Sequence, residues 1–168
     1  MERNSDLSDL WGMQTVQSVV PSESCDNALQ MALLRARDRV IGPLRSMLAH
    51  SGLTEQQWRV LRVLEEDTVL DATEIAERAC LMLPSLTRIL NTLESKELIR
   101  REPDPRDRRK QRISISRAGH DTIDAHLIEV QRLHKHLADQ MGPHRLSTLV
   151  QLLLELDAVP AMEQANPE

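Results

Sequence analysis

The sequence predicts a mainly α-helical fold with one small β-hairpin. The chain contains two Trp and neither Phe nor Tyr, so its core has to be built from aliphatic residues and Met, which favours helices over a sandwich or a barrel. Most of the chain repeats its apolar residues every three or four positions, as amphipathic helices do. Two segments, Leu98–Arg101 and Arg112–Ser116, instead follow the two-residue period of short strands.

The first predicted helix runs from Asn27 to about His50. Pro43 is expected to kink this helix, and Ser51-Gly52 is expected to end it. The apolar positions that define it recur at three- and four-residue spacing and are Leu29, Leu33, Leu34, Val40, Ile41, Leu44 and Leu48.

Three further helices follow from their start signals. Thr54 with Gln57 and Asp71 with Glu74 each form a capping-box pattern, which predicts the starts of a second helix and of a short third helix. A fourth helix begins near Pro84, because a residue without an amide hydrogen suits a first turn. The side chains that these helices turn inward are Trp58, Leu61, Leu64, Ile75, Ala76, Leu86, Ile89, Leu90 and Leu93.

A β-hairpin with a charged tip comes next. Its predicted strands are Leu98–Arg101 and Arg112–Ser116, and the loop 103–111 between them is rich in Pro and Arg. Ser116 then caps a long fifth helix, which Gly142-Pro143 ends before a sixth helix. The apolar positions of the fifth helix are Ile123, Leu127, Val130, Leu133, Leu137 and Met141.

The sixth helix is apolar on nearly all sides, although a monomer would need only one buried stripe there. Its apolar residues are Leu146, Leu149, Val150, Leu152, Leu153, Leu154 and Leu156. We therefore expect it to pack, with the first and fifth helices, in the dimerisation layer of a homodimer. The predicted regions are a flexible arm at 1–24, dimerisation helices at 25–52 and 117–160, a DNA-binding region at 53–116 and a tail at 161–168.

The charge is strongly segregated along the chain. Residues 100–117 carry eight positive and three negative side chains, which is a charge of +5. Because the net charge of the whole chain is −5, the other 150 residues together carry −10. A net negative charge therefore does not argue against nucleic acid, because it averages over faces that never meet the ligand.

The expected compartment is the cytoplasm. No secretory signal and no apolar run long enough to span a membrane are visible, so no membrane association is expected. Cys25 and Cys80 form no CxxC pair and suit a reducing compartment. Cys80 is expected to be a small buried apolar residue.

Two short helices, a tight connection and a cationic hairpin are the parts needed to read a DNA major groove and grip its backbone, as in a winged helix-turn-helix. The outward face of the fourth helix carries Ser85, Thr87, Arg88, Asn91 and Thr92. Arg88 suits a guanine edge and Asn91 an adenine edge, while the hydroxyls suit bases or phosphates. Duplex DNA is therefore the predicted partner.

Several motifs resemble the MarR family of regulators, and within it the HpaR-like branch that controls breakdown of homoprotocatechuate and related aromatic acids. They are Leu53-Thr-Glu-Gln-Gln-Trp-Arg59, Cys80-Leu-Met-Leu-Pro-Ser-Leu-Thr-Arg-Ile-Leu90, Asp104-Pro-Arg-Asp-Arg-Arg109 and Ile113-Ser-Ile-Ser116 with Gly119. The resemblance covers roughly residues 27–157.

The resemblance implies specific roles in the hairpin. Arg109 would insert into the minor groove, and Asp107 would hold its guanidinium in position. The full set of expected DNA-contacting residues is Pro84, Ser85, Thr87, Arg88, Asn91, Arg106, Asp107, Arg109 and Lys110.

The resemblance also implies a small aromatic carboxylate effector, bound between the dimerisation helices and the reading head, that releases the protein from a pseudo-palindromic operator. An anion needs a cation, and Arg37, Arg39 and Arg59 are the candidates. Trp58 and His50 would be walls or hydrogen-bond partners, although Trp58 also fits a core position.

Other interpretations stay open. Cys25 suggests a thiol-based redox sensor, but the chain has no Tyr to support a reactive thiol. A metal sensor is a further option, with His120, Asp124 and His126 as ligands and Glu23 and Cys25 within reach. Solvated polar positions are the commoner explanation for such residues, so no metal and no cofactor are expected. The chain has no Gly-rich loop, GxSxG or HExxH, so no enzyme is expected. A helical dimeric adaptor that does not bind DNA is the remaining alternative.

Overall fold

The computed structural model describes residues 23–67, 69–107 and 109–160, with side chains from Asn27 onward. The predicted arm and tail lie outside the described residues, except for the backbone at Glu23 and Ser24. By its internal contacts the chain divides into two compact units, Met1–Arg39 and Val40–Glu168. The predicted regional boundaries fall elsewhere, at 52/53 and 116/117, and stay predictions.

The described part of the chain contains six helices and one two-stranded antiparallel sheet, which confirms the predicted fold class. In order they are α1 (Glu23–Ala49), α2 (Glu55–Glu66), α3 (Ala72–Arg78), α4 (Leu83–Ser95), β1 (Ile99–Pro103), β2 (Gln111–Ile115), α5 (Arg117–Met141) and α6 (Pro143–Asp157). The strands pair from Ile99 opposite Ile115 to Pro103 opposite Gln111. Pro43 lies inside α1, and the kink expected there stays a prediction.

Both predicted capping boxes are present. Thr54 Oγ1 accepts the N–H of Gln57 at 3.2 Å, and Gln57 Oε1 accepts the N–H of Thr54 at 3.1 Å. Asp71 Oδ1 accepts the N–H of Glu74 at 3.0 Å, and Glu74 Oε2 accepts the N–H of Asp71 at 2.7 Å. These bonds satisfy amides that have no partner within the helix, and so they fix where α2 and α3 begin.

The prediction that Cys80 is buried is wrong, because the turn after α3 points its side chain to solvent. The Leu81 N–H reaches the Ala76 carbonyl at 2.8 Å and the Cys80 N–H reaches the Glu77 carbonyl at 3.1 Å, which is a Schellman ending. Cys80 takes the left-handed position of that motif, with φ of 50°, and is exposed. The next residue, Leu81, packs against the core instead.

One aliphatic core joins α2, α3 and α4 to the base of the hairpin and the start of α5. Every inward residue predicted for α2, α3 and α4 is buried. The middle of β2 is also held by backbone bonds, because Leu70 and Ile113 exchange N–H to carbonyl bonds of 3.0 and 2.8 Å. The hairpin is therefore anchored to the core from its base to the middle of β2, and its tip extends beyond that point.

Most apolar side chains of α5 and all of α6 are not covered by the chain's own core. Ile123 is the only apolar α5 side chain that is fully buried among the residues described. No residue of α6 is buried, and Leu152 and Leu154 are 56% and 65% exposed. Within the described ranges, no helix is both long enough and apolar enough to cross a membrane.

Candidate nucleic-acid interface and ligand cavity

The polar face of α4 lies opposite the buried residues of that helix. Pro84, Ser85, Thr87, Arg88 and Asn91 are exposed, as predicted for side chains that meet DNA, and Thr92 is half-buried. The hydroxyl of Thr87 donates to the Leu83 carbonyl at 3.0 Å. Thr87 is thereby left to accept, rather than donate, a hydrogen bond on its outer side.

A wing arginine that sequence reasoning did not select joins this helix. Arg101 Nη2 donates to Asn91 Oδ1 at 2.9 Å, and its Nε lies 3.3 Å from Glu94 Oε2 in an ion pair without hydrogen-bond alignment. Asn91 and Glu94 are three residues apart, so they share one face of α4. The contact depends on how β1 packs against α4, which no local pattern in the sequence indicates.

The tip of the hairpin is ordered by two aspartates. Asp104 Oδ1 accepts the N–H of Arg106 at 2.7 Å and that of Asp107 at 3.3 Å. Asp107 Oδ1 accepts the N–H of Arg109 at 3.0 Å. The bond from the Arg106 amide is the main reason that the pKa of Asp104 lies below its ordinary value, because it stabilises the charged carboxylate.

The observed bond differs from the role predicted for Asp107. Its carboxylate holds the backbone of Arg109 rather than, as the resemblance implied, the guanidinium. The reason is local, since an aspartate two residues before an amide closes an Asx turn. Arg106, Arg109 and Lys110 are exposed, so the tip presents cations on a backbone that the two aspartates fix.

Lys110 also links the wing to the start of α3. Its Nζ lies 3.3 Å from Asp71 Oδ2. The pKa of Asp71 is lowered, chiefly by the hydrogen bond from the Glu74 amide and further by Lys110, which stabilise its charged form. Sequence reasoning found Asp71 as a helix cap but missed this second contact, because 39 residues separate the partners.

A cavity of about 290 Å³ lies between the C-terminal part of α1, α2 and the middle of α5. Its polar lining consists of Arg62, Gln131 and His134, and the indole of Trp58 forms part of its wall. The remaining lining is aliphatic and consists of Val40, Ile41, Leu44, Leu127, Val130, Leu133 and Leu137. Trp58 is only 5% exposed, so it is both a core residue and a cavity wall.

The other predicted effector residues are placed differently. Arg59 is not part of this lining: its Nη1 donates to the Ala79 carbonyl at 2.9 Å and its Nε lies 3.3 Å from Glu55. His50 is exposed, and its Nδ1 lies 2.8 Å from the Ser46 carbonyl. Arg37 and Arg39 are exposed on α1 within the unit that ends at Arg39. Arg62, three residues along α2 from Arg59, lies on the cavity instead, and its guanidinium also pairs with Glu65 and Glu66 of the same helix.

The His and Asp residues considered for a metal do not cluster. In the ranges that the structure describes, no group of three His, Cys, Asp or Glu side chains could hold an ion. His126 is engaged otherwise: its Nδ1 lies 2.7 Å from the Thr122 carbonyl and its Nε2 lies 2.8 Å from Ser51 Oγ. The Glu23 and Cys25 side chains lie outside the described residues.

Comparison with known proteins gives consistent matches. A model described as the MarR family matches residues 53–110. The homoprotocatechuate degradative operon repressor of Escherichia coli is 32% identical over 140 residues, which are 83% of this chain and 95% of that protein. The crystal structure of the transcriptional regulator PA4135 is 30% identical, with a TM-score of 0.75, and the match covers 84% of this chain and all of that one.

A third match was solved with a ligand. NadR in complex with 4-hydroxyphenylacetate is 30% identical to this chain, with a TM-score of 0.68. The match covers 77% of this chain and 94% of NadR.

Proposed function

This chain belongs to the MarR family of transcription regulators, and we propose that it is a homodimeric repressor of aromatic-acid catabolism genes. In this proposal it reads a pseudo-palindromic operator with α4 and the wing, and a small aromatic carboxylate releases it. Its expected compartment is the cytoplasm. The family consists of regulators, so the expectation that the chain is not an enzyme is confirmed.

The main support for DNA binding is that the polar face of α4 lies next to a cationic wing and contacts it through Arg101. A helix face of Ser85, Arg88 and Asn91 fits a major groove, because small and polar side chains admit base edges. Arg106, Arg109 and Lys110 at the wing tip suit phosphates or the minor groove, where negative potential is greatest when the groove is narrow.

The exposed apolar faces of α5 and α6 support the homodimer. Ile128 is 66% exposed, and the large apolar side chains of α6 are mostly 38–65% exposed. Exposed apolar side chains clustered on two helices mark a site of interaction with another protein surface. A two-fold dimer would place two reading heads on half-sites about 10 base pairs apart, centre to centre.

The cavity supports the effector class. Its volume, about 290 Å³, lies at the small end of ligand pockets, which suits an acid with a single ring. Arg62 supplies a cation for the carboxylate, which would compete with Glu65 and Glu66 for its guanidinium, and Trp58 with the aliphatic wall supplies contacts for the ring. NadR, of which the match covers 94%, was solved in complex with 4-hydroxyphenylacetate.

The proposal is tested by fluorescence anisotropy on DNA from just upstream of the protein's own gene, with a panel of phenolic acids. We expect nanomolar binding that falls steeply with salt and that one class of acid relieves. Absence of any salt-dependent binding would leave the DNA-free helical adaptor as the better account. Tight binding without any acid response would reject the effector part alone.

The role of Arg62 is tested by calorimetry with 4-hydroxyphenylacetate and homoprotocatechuate. We expect Arg62→Met to weaken acid binding about ten-fold or more, since a charged hydrogen bond in a partly apolar site is lost. Arg59→Met is the matched control, because Arg59 is on the same helix but outside the cavity lining. Equal losses from both variants would contradict the assignment of Arg62.

The thiol-sensing alternative stays open at Cys25, whose side chain lies outside the described residues. Peroxide treatment of the DNA complex tests it, with Cys25→Ser as the comparison. DNA binding that peroxide does not change would remove this alternative.

A further inference from the structure

Arg101 differs from the other basic wing residues that the structure describes because it is turned into the protein. Its side chain is 13% exposed, whereas that of Lys110 is 61% exposed. Its contacts with Asn91 at 2.9 Å and with Glu94 at 3.3 Å both lie on α4. Arg101 is therefore placed to act on the helix rather than on phosphate.

The contact fixes the orientation of the Asn91 amide. A guanidinium has only donors, so the atom of Asn91 that faces it has to be the carbonyl oxygen. The amide nitrogen, with its two N–H groups, then points away from Arg101. Because Asn91 is exposed on the face of α4 opposite the core, the group that it presents outward is a donor.

We propose that Arg101 sets the base preference of the protein by holding Asn91 as a hydrogen-bond donor, so that Asn91 reads guanine rather than adenine. Bidentate reading of adenine requires an oxygen that accepts from N6 and a nitrogen that donates to N7, presented side by side. Although a carbonyl oxygen has a second lone pair, Arg101 holds this one on the side of α4 that faces β1, so the oxygen and the nitrogen are not presented side by side to one base edge. Guanine offers two acceptors, O6 and N7, and no donor on its major-groove edge, and so it matches a fixed amide nitrogen.

This inference rests on the proposed DNA-reading function and replaces our prediction from the sequence that Asn91 pairs with adenine. It makes Arg101 a positioning residue and Asn91 the residue that meets the base. Glu94 supports the arrangement, because its carboxylate holds the same guanidinium from the next turn of α4. A wrong base at such a position should lower the affinity by about five-fold or more.

The test is selection of bound sequences from a randomised duplex pool, which identifies the preferred operator directly. For the wild-type protein we expect one position in each half-site with a guanine preference that Asn91→Ala abolishes. In Arg101→Met that same position should admit adenine to within about three-fold of guanine, because the amide is free to turn. The preferences at other positions should be unchanged.

Arg100→Met is the matched control. Arg100 is the neighbouring residue of β1, is exposed and carries the same charge, so its removal should lower affinity for all sequences alike. Glu94→Gln is a milder second variant: it removes the ion pair that helps to position Arg101 but leaves Arg101 able to bond Asn91, so it should broaden the same position by a smaller factor.

An unchanged guanine preference in Arg101→Met would overturn the inference. Loss of all sequence selection in a folded Arg101→Met protein would overturn it too, since Arg101 would then serve the whole interface. If the wild-type protein selects no sequence, the proposed function fails instead. In that case the Arg101–Asn91 hydrogen bond can still be tested in the free protein. The shifts in thermal midpoint caused by Asn91→Ala and Arg101→Met should be non-additive in the double variant. Additive shifts would reject the bond.

Discussion

Gly119 lies where the first turn of α5 comes closest to the base of the hairpin. A Cβ built on it would contact the Leu98 carbonyl oxygen and would lie 2.5 Å from Ile115 Cγ1. The first obstacle is backbone, which cannot move aside as a flexible side chain can. Ser116 adds to the constraint, because its Oγ accepts the Gly119 N–H at 3.0 Å and donates to the Glu97 carbonyl at 2.6 Å.

We expect Gly119→Ala to lower the free energy of unfolding by about 1–3 kcal/mol, because overpacking forces the backbone of α5 and β1 apart. Urea denaturation measures it. Gly42→Ala is the control, since a Cβ there meets nothing within 4 Å and Ala is the better helix former. Equal stability of wild type and Gly119→Ala would contradict the close approach.

Cys80 shows a cost of a different kind, which is conformational. It occupies the left-handed position of a helix ending that glycine fills most easily, with φ of 50°. Its exposed side chain makes no compensating contribution to the core.

Replacing Cys80 with Gly should therefore stabilise the protein by about 0.5–1 kcal/mol, because the steric penalty at Cβ disappears. The converse change, Gly52→Ala at φ of 68°, should destabilise by a similar amount, since nothing but backbone conformation is affected there. Thermal unfolding of both variants gives the answer, and a lower midpoint for Cys80→Gly would show that the turn prefers a side chain.

At the scale of elements, Asp71 connects the start of α3 to the wing. It caps the helix and holds Lys110, and its pKa is lowered from 3.8 by the Glu74 amide first and by Lys110 further. A carboxyl group with a lowered pKa contributes stability above its unfolded value, and this contribution is lost as the pH falls through the folded value.

Asp71→Ala should cost about 1 kcal/mol at neutral pH, as the loss of a helix cap does. The difference from wild type should shrink below pH 3.8, where the carboxylate becomes protonated in the folded state too. Asp71→Asn keeps a capping side chain and removes the charge, so its loss at neutral pH should be smaller than that of Asp71→Ala, and both losses should shrink in acid because the wild type alone carries the titrating carboxyl group. A difference that stays constant down to acid pH would count against the ionic contribution.

The wing tip is the second element with a testable role. Arg109 is exposed, and its amide is fixed by Asp107, so its side chain is presented without help from the core. Arg109→Ala should remove most specific DNA binding, about ten-fold or more, while the thermal midpoint stays the same. A gel-shift assay on the selected operator measures this, with the exposed α5 residue Arg132→Ala as the control. Unchanged affinity would refute the role.

At the scale of the whole molecule, the main feature is the exposed apolar surface of α6. Leu152 is 56% exposed and lies on a helix in which no side chain is buried. If α6 packs against a second copy, a charge at this position would be buried without a partner, which is costly.

Leu152→Glu should convert the dimer to a monomer and weaken operator binding, while the core around α2 and α4 remains folded. Sedimentation velocity and circular dichroism measure the two effects. Ser147→Glu, on the exposed surface of the same helix, is the comparison. A dimer that survives Leu152→Glu would place the interface elsewhere.

Sequence alone determined the elements and the class of protein. Helix periodicity located the inward residues of α2, α3 and α4, the capping boxes located the starts of α2 and α3, and the Asp104–Arg109 wing motif with the helix at Pro84 indicated the family. These signals are local, because caps and periodicity depend on residues a few positions apart. For that reason they could be read without coordinates.

Only the tertiary structure decided which side chains meet. It paired Arg101 with Asn91 and Lys110 with Asp71, and it put Arg62 rather than Arg59 on the cavity. It also showed that Cys80 is exposed, although the residue type had suggested a buried position. The contacts depend on how β1 packs against α4, on the approach of the wing to α3 and on the rotation of α2 about its axis, which are set by packing between elements, whereas the exposure of Cys80 follows from a left-handed turn that the sequence does not announce with a glycine.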